Sequence, residues 1–251
     1  MPTLKPILVI ADLGAAANLV KNLLFLDKNY SFLESPVNDR HQYLLNTTYT
    51  NNLTFNEWFN FEARTRKWKI DIAHRIDSAE ILNIQSDLHN IIFINHTAFW
   101  ELDELDKIKD LFNIVYVFPK TLIGVVWQVR AYIEKKGYEE LHNFTFENNA
   151  EQSKQEMIDK FGVKYWAKVN ATNMFNIVKE RRTKFYCYAK KNNFCLVSLE
   201  SLVDQNTTQA YNTLSGIAPQ MARNEFDDIL HRWQSYHWPY SETLNQQWFD
   251  I

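Results

Sequence analysis

Pro6-Ile7-Leu8-Val9-Ile10-Ala11 is an unbroken apolar run, closed by Asp12-Leu13-Gly14 and followed by Ala15-Ala16-Ala17. A strand with one wet face alternates apolar and polar residues. A run without alternation fits a strand buried on both faces, as in a parallel sheet. From Asn18 to Leu26 the apolar side chains recur at helical spacing. Strand, tight loop and helix in direct succession is how α/β domains that hold phosphate begin, because the first N–H groups of the helix lack intrahelical partners and attract anions.

Three further runs read as buried strands: Ile91-Ile92-Phe93-Ile94-Asn95, ending at His96; Asn113 to Phe118, stopped by Pro119; and Phe194 to Leu199. Helical spacing links them. Leu102, Leu105, Ile108 and Leu111 form one set, Thr121 to Lys136 a long helix ended by Gly137, and Asn173 to Lys191 another. Gln209 to Leu214 and Asn224 to Tyr236 follow as helices. Asn148 to Lys160 is polar, either a surface helix or a mobile insertion. Between Asp27 and Asn90, Leu53 to Trp68 has helical spacing, Ile76 to Ile84 fits a helix or short strand, and Asn46 to Asn52 reads as loop. Alternating strands and helices predict a three-layer α/β sandwich with a mainly parallel central sheet of about four or five strands. With no internal repeat and no linker, residues 1–251 read as one domain.

Composition narrows the function classes. Five glycines in 251 residues cannot spell a GxGxxG or GxxxxGK[ST] loop. A net charge of −3 gives no sign of a basic stripe for nucleic acid. The apolar stretch from Ile7 to Leu26 is interrupted by Asp12, Asn18, Lys21 and Asn22, so neither a spanning helix nor a secretion signal is expected. The expectation is therefore a cytoplasmic protein without a membrane partner. Cys187 and Cys195 match no metal spacing and read as two buried thiols. His231 and His237, six apart, would sit on different helix faces, so no metal site is expected. The aromatic end (Trp233, Trp238, Tyr240, Trp248, Phe249) fits either packing against the body or a homodimer contact.

Four features occur in a telling order: the first strand-loop-helix, the strand ending in His96, the segment Val115-Tyr116-Val117-Phe118-Pro119-Lys120-Thr121 leading into a long helix, and the late strand with its acidic turn, Val197-Ser198-Leu199-Glu200-Ser201-Leu202. This order resembles the P-loop sulfotransferases. The resemblance covers about two thirds of the chain, strongest from Ile91 to Tyr132 and from Phe194 to Leu214. It implies that Gly14, Ala15, Ala16, Ala17 and Asn18 form the loop for the 5'-phosphosulfate of 3'-phosphoadenosine-5'-phosphosulfate. It also implies that His96 is the general base and that Lys120 lies in the segment for the 3'-phosphate. The acceptor would be a hydroxyl or amine on a small molecule or glycan.

The motifs are degenerate. Where the family loop carries a lysine this chain has Asp12, and the hydroxyl residues after Gly14 are Ala15 and Ala16. Where the family segment carries its phosphate-gripping arginine and serine, this chain has Val117 and Val125. Lys21, Lys120, Arg130, Arg181 and Arg182 are the substitute cations. Each site residue also has a plainer reading. His96 can close a strand, Gly14 to Asn18 can be a tight turn, and Lys120 can be a solvated lysine beside a Thr121 helix cap. The sequence thus leaves three functions open: a divergent sulfotransferase, a non-catalytic relative of the same fold that binds a nucleotide or a protein partner, or a different transferase using another phosphorylated donor at the same switch point.

Overall fold

A computed structural model describes residues 5–11, 15–30, 92–97, 102–145 and 150–237. Four strands form a parallel sheet: β1 (Ile7–Ala11), β2 (Ile92–His96), β3 (Asn113–Phe118) and β4 (Cys195–Ser198), in the order β2-β1-β3-β4. Every residue of β1 is at most 1% exposed, which is why no polar residue interrupts Ile7 to Ala11. The helices among the described residues are α1 (Ala17–Leu24), α2 (Leu102–Ile108), α3 (Leu122–Thr145), α4 (Ala150–Phe161), α5 (Val163–Lys191), α6 (Leu199–Val203), α7 (Thr208–Ser215) and α8 (Arg223–His237).

The strand period of two sends alternate side chains to opposite cores. Ile7, Val9 and Ala11 meet Leu19, Val20 and Leu23 of α1, Leu214 of α7, and Phe226, Ile229 and Leu230 of α8. Leu8, Ile10, Ile114 and Tyr116 point the other way, onto Leu105 and Ile108 of α2 and Phe185 and Ala189 of α5. Helices therefore cover both faces of the sheet. A third core joins α3 to α5, with Val125, Val129 and Ile133 against Met174 and Val178. The α/β expectation thus holds at the level of a parallel sheet between helices.

Several helices depart from their predicted bounds. Gly137 leaves the helical region (φ 79°, ψ 168°), as its place at the end of a helix suggests, but the chain resumes helical geometry to Thr145. The polar segment 150–161 is a helix, not an insertion. The helix predicted from Asn173 begins ten residues earlier, at Val163. Its added turns bury Trp166 and Asn170 against His142: the Trp166 indole donates to His142 Nδ1 (3.1 Å), Asn170 Oδ1 lies 3.2 Å from that nitrogen, and Asn170 Nδ2 donates to Trp166 O (2.8 Å). The His142 Nδ1 thus lies between the Trp166 indole and the Asn170 amide oxygen. Cys187 is exposed rather than buried, and both thiols are free. Burial pushes the Cys195 thiol up to about 12. Of the aromatic end, Trp233 lies in the first core. Trp238, Tyr240, Trp248 and Phe249, the readings for 53–68 and 76–84, and Asp12 and Gly14 lie outside the described residues.

A polar knot fixes α7 to α8. Arg223 Nε donates to Asp227 Oδ2 (2.7 Å), Thr207 Oγ1 donates to Asp227 Oδ1 (2.5 Å), and Arg223 Nη2 donates to Thr207 Oγ1 (2.7 Å). Burial works to raise the Asp227 carboxyl, but the hydrogen bonds from Arg223 and Thr207 outweigh it and hold it below the usual carboxylate value. A depressed folded-state value adds stability above the unfolded carboxylate range, and this is lost as pH falls through the folded value. Asp227→Asn is therefore expected to lower stability at neutral pH by about 1 kcal/mol. The gap to wild type should close on acidification, as read by urea unfolding at several pH values. Phe226→Ala, in the first core, should cost about 3–5 kcal/mol at every pH.

Candidate functional site at the carboxyl edge of the sheet

The carboxyl ends of the strands share one edge. Ala11 pairs in register with His96 on one side and Val117 on the other, and Phe118 with Ser198. The next described strand after β1, β2, lies on one side of it, whereas β3 and β4 lie on the other. The strand order therefore reverses between β1 and β3, and in open parallel sheets ligands bind at such a switch point, beyond the carboxyl ends. Among the helix N-termini that open from this edge, those of α1 after β1 and α3 after β3 differ.

No side chain among the described residues caps the N-terminus of α1. Its cap residue, Ala16, sits in the left-handed region (φ 58°, ψ 28°), and no acidic residue stands in the first turn. A non-glycine residue there costs about 1–2 kcal/mol, and such strain is often found where a backbone is held open for a ligand. Ala15 and Ala17 are buried, and Asn18 is half-buried. His96 is the last residue of β2, so its backbone lies beside Ala11, where the loop leaves. The expected base and the described part of the expected phosphate loop thus share an edge and neighbouring strands.

The N-terminus of α3 is closed by the chain's own carboxylate. Lys120 N donates to Glu200 Oε2 (2.8 Å), and Thr121 donates to Glu200 Oε1 through both its N–H (2.7 Å) and its hydroxyl (2.8 Å). The same hydroxyl accepts from Gly124 N (3.0 Å), so Thr121 caps the helix as its position suggested. Gly124 makes the approach feasible, because a Cβ there would collide with Glu200 Oε1. Arg182 reaches in from α5 and donates to the Lys120 carbonyl. Glu200 is itself positioned by α6, whose cap Ser198 accepts from Ser201 N (3.1 Å).

Of the expected site residues, Ala15 to Asn18, His96 and Lys120 therefore gather at one edge of the sheet, with Lys120 exposed. Of the substitute cations, Arg182 comes to the start of α3. The sequence reading did not foresee Glu200 as the partner of Lys120 and Thr121. Its acidic turn was visible, but its target is eighty residues earlier. No group of His, Cys, Asp and Glu among the described residues is arranged to hold a metal ion, and none of their helices is long and apolar enough to cross a membrane. No family model matches the chain, and no curated protein or solved structure gives a significant match.

A double-mutant cycle tests the closure of α3. Glu200→Ala should cost about 1–2 kcal/mol, the range for losing a helix cap. Gly124→Ala gains about 1 kcal/mol of helix propensity but displaces Glu200. In the Glu200→Ala background that displacement no longer counts, so Gly124→Ala should cost less there than in wild type. A coupling of about 1 kcal/mol in denaturant unfolding is expected; strict additivity would place Glu200 elsewhere.

Proposed function

We propose that the chain is a divergent sulfotransferase-like protein with a phosphorylated-donor site at the β1/β3 switch point. Residues Gly14 to Asn18 hold the donor's 5'-phosphate through the N-terminus of α1. The observation that supports this is the uncapped α1 N-terminus beside β2's terminal His96. In this reading 3'-phosphoadenosine-5'-phosphosulfate is the donor and supplies a sulfuryl group. The chain's own residues hold phosphate at backbone N–H groups and take a proton at the His96 imidazole from the hydroxyl or amine of a small-molecule or glycan acceptor.

The fit to that donor is uneven. The α1 terminus suits an anion. The Lys120 and Thr121 N–H groups, which would serve the 3'-phosphate, are taken by Glu200. This favours the second reading, a relative that binds a nucleotide or a protein partner without catalysis, to the extent that the 3'-phosphate is needed. It also predicts weak discrimination between nucleotides with and without that group.

Calorimetry with adenosine 3',5'-bisphosphate and adenosine 5'-monophosphate is the test. Micromolar binding of both, lost in Gly14→Trp, is expected. The two affinities should lie within about threefold, where a phosphate gripped by two N–H groups would separate them by about tenfold or more. No binding at millimolar ligand would remove the donor assignment. If binding is present, sulfuryl transfer abolished by His96→Ala supports the enzyme. Binding without transfer across an acceptor panel supports the non-catalytic relative.

A further inference from the structure

The net charge of −3 conceals a strong asymmetry. Residues 160–191, which close α4 and form α5, contain nine Lys or Arg and one Glu, a net of +8. On α5 the buried positions Trp166, Asn170, Met174 and Val178 face α3, four residues apart. Lys164 and Lys168 are offset from them by about half a turn and lie exposed. The corner between α4 and α5, where Gly162 turns the chain at φ 84°, also exposes Phe161 (52%), Val163 (58%) and Tyr165 (46%). Lys160 lies over the Phe161 ring, 5.1 Å from its centroid. One such apolar residue would mean nothing; three within five residues, among three lysines, form a patch.

We infer that this corner, Lys160 to Lys168, is a peripheral docking surface for an anionic lipid bilayer. Three features select lipid over nucleic acid. Val163 adds an aliphatic side chain to the neighbouring Phe161 and Tyr165 rings (centroids 4.7 Å apart), an apolar cluster that suits the boundary between headgroup and acyl chain. The cations at the corner are all lysine, point charges suited to a diffuse negative surface, without the guanidinium forks that grip bases and phosphates in pairs. The two arginines of α5, Arg181 and Arg182, are half-buried, and Arg182 is engaged with Lys120. One carboxylate, Asp159, adjoins the corner in sequence and accepts from the neutral Gln155 amide (2.6 Å). Toward the far end of α5 the charge is partly answered. There Asp106, held below the usual carboxylate value by hydrogen bonds from Lys109 and Tyr188, also feels Lys191. Six of the nine cations lie between 179 and 191; what sets the corner apart is that three lysines coincide there with three exposed apolar side chains. The absence of a spanning helix among the described residues does not bear on such a contact.

The full chain should sediment with phosphatidylcholine vesicles containing about one-third phosphatidylserine, and at least about tenfold less with phosphatidylcholine alone. Each lysine near such a surface is worth about fivefold, so Lys160→Ser, Lys164→Ser and Lys168→Ser together should weaken binding about 10²-fold. Phe161→Ser with Tyr165→Ser should weaken it while keeping the preference for phosphatidylserine. Circular dichroism checks folding, and if the triple variant unfolds, Lys164→Ser alone must still show the fivefold loss. Equal retention on both vesicles, no retention, or indifference to the substitutions overturns the proposal. So does a single-stranded oligonucleotide that binds more tightly through the same lysines. Nucleotide binding is measured separately, so failure here leaves the donor-site reading untouched, and the reverse.

Discussion

β1 has neighbours in every direction. Its two edges are hydrogen-bonded to β2 and β3, and its two faces are covered by α1 with α8 and by α2 with α5. A shift of one residue would exchange the contents of the two cores, so its register is strongly fixed. That register sets where Ala11 ends, and hence where the following loop and α1 begin. It also brings His96 beside that point. The candidate site follows from the pairing of a five-residue strand more than from any polar interaction.

Two of the helix N-termini at this edge, those of α1 and α3, have opposite electrostatic outcomes. A helix terminus exposes N–H groups that require an acceptor from solvent, ligand or protein. At α3 the protein supplies its own, the Glu200 carboxylate, with Gly124 kept bare to admit it. At α1 no side chain among the described residues does so, and Ala16 is held in a left-handed conformation instead. Among the described residues, one terminus is thus answered by a protein carboxylate and the other by none, which separates a tie between β3 and β4 from the place proposed for a ligand.

The strands were legible because burial on both faces leaves an unbroken apolar run, and β3 spans the residues that its run marks, Asn113 to Phe118. The first half of α5 was not, because its seam against α3 is partly polar. Asn170 and His142 are fully buried through hydrogen bonds that apolar periodicity does not register. Gly137 marks the end of a helix as its residue type suggests, and the helical residues after it, to Thr145, form a second run across a kink. Glu200 was visible as an acidic turn, but its target depends on β3 and β4 pairing. The basic segment is hidden in the total charge, which sums it with the net negative charge of the rest of the chain.

The central place of β1 has a cost during synthesis. Its partner β2 begins at residue 92, β3 at 113, and the α8 side chains that cover it near 226. The buried Asp27, just after α1, accepts from Asn29 N (2.8 Å) nearby but also from Gln220 N (2.9 Å) late in the chain. At ordinary elongation rates of about 5–20 residues per second, Ile7 to Ala11 would wait on the order of ten seconds for a first strand partner and longer for the covering helix. A fully apolar strand left unpaired for that time is prone to join the wrong edge. The nascent chain is therefore most vulnerable to aggregation before β3 emerges, and chaperone demand would be greatest in that interval.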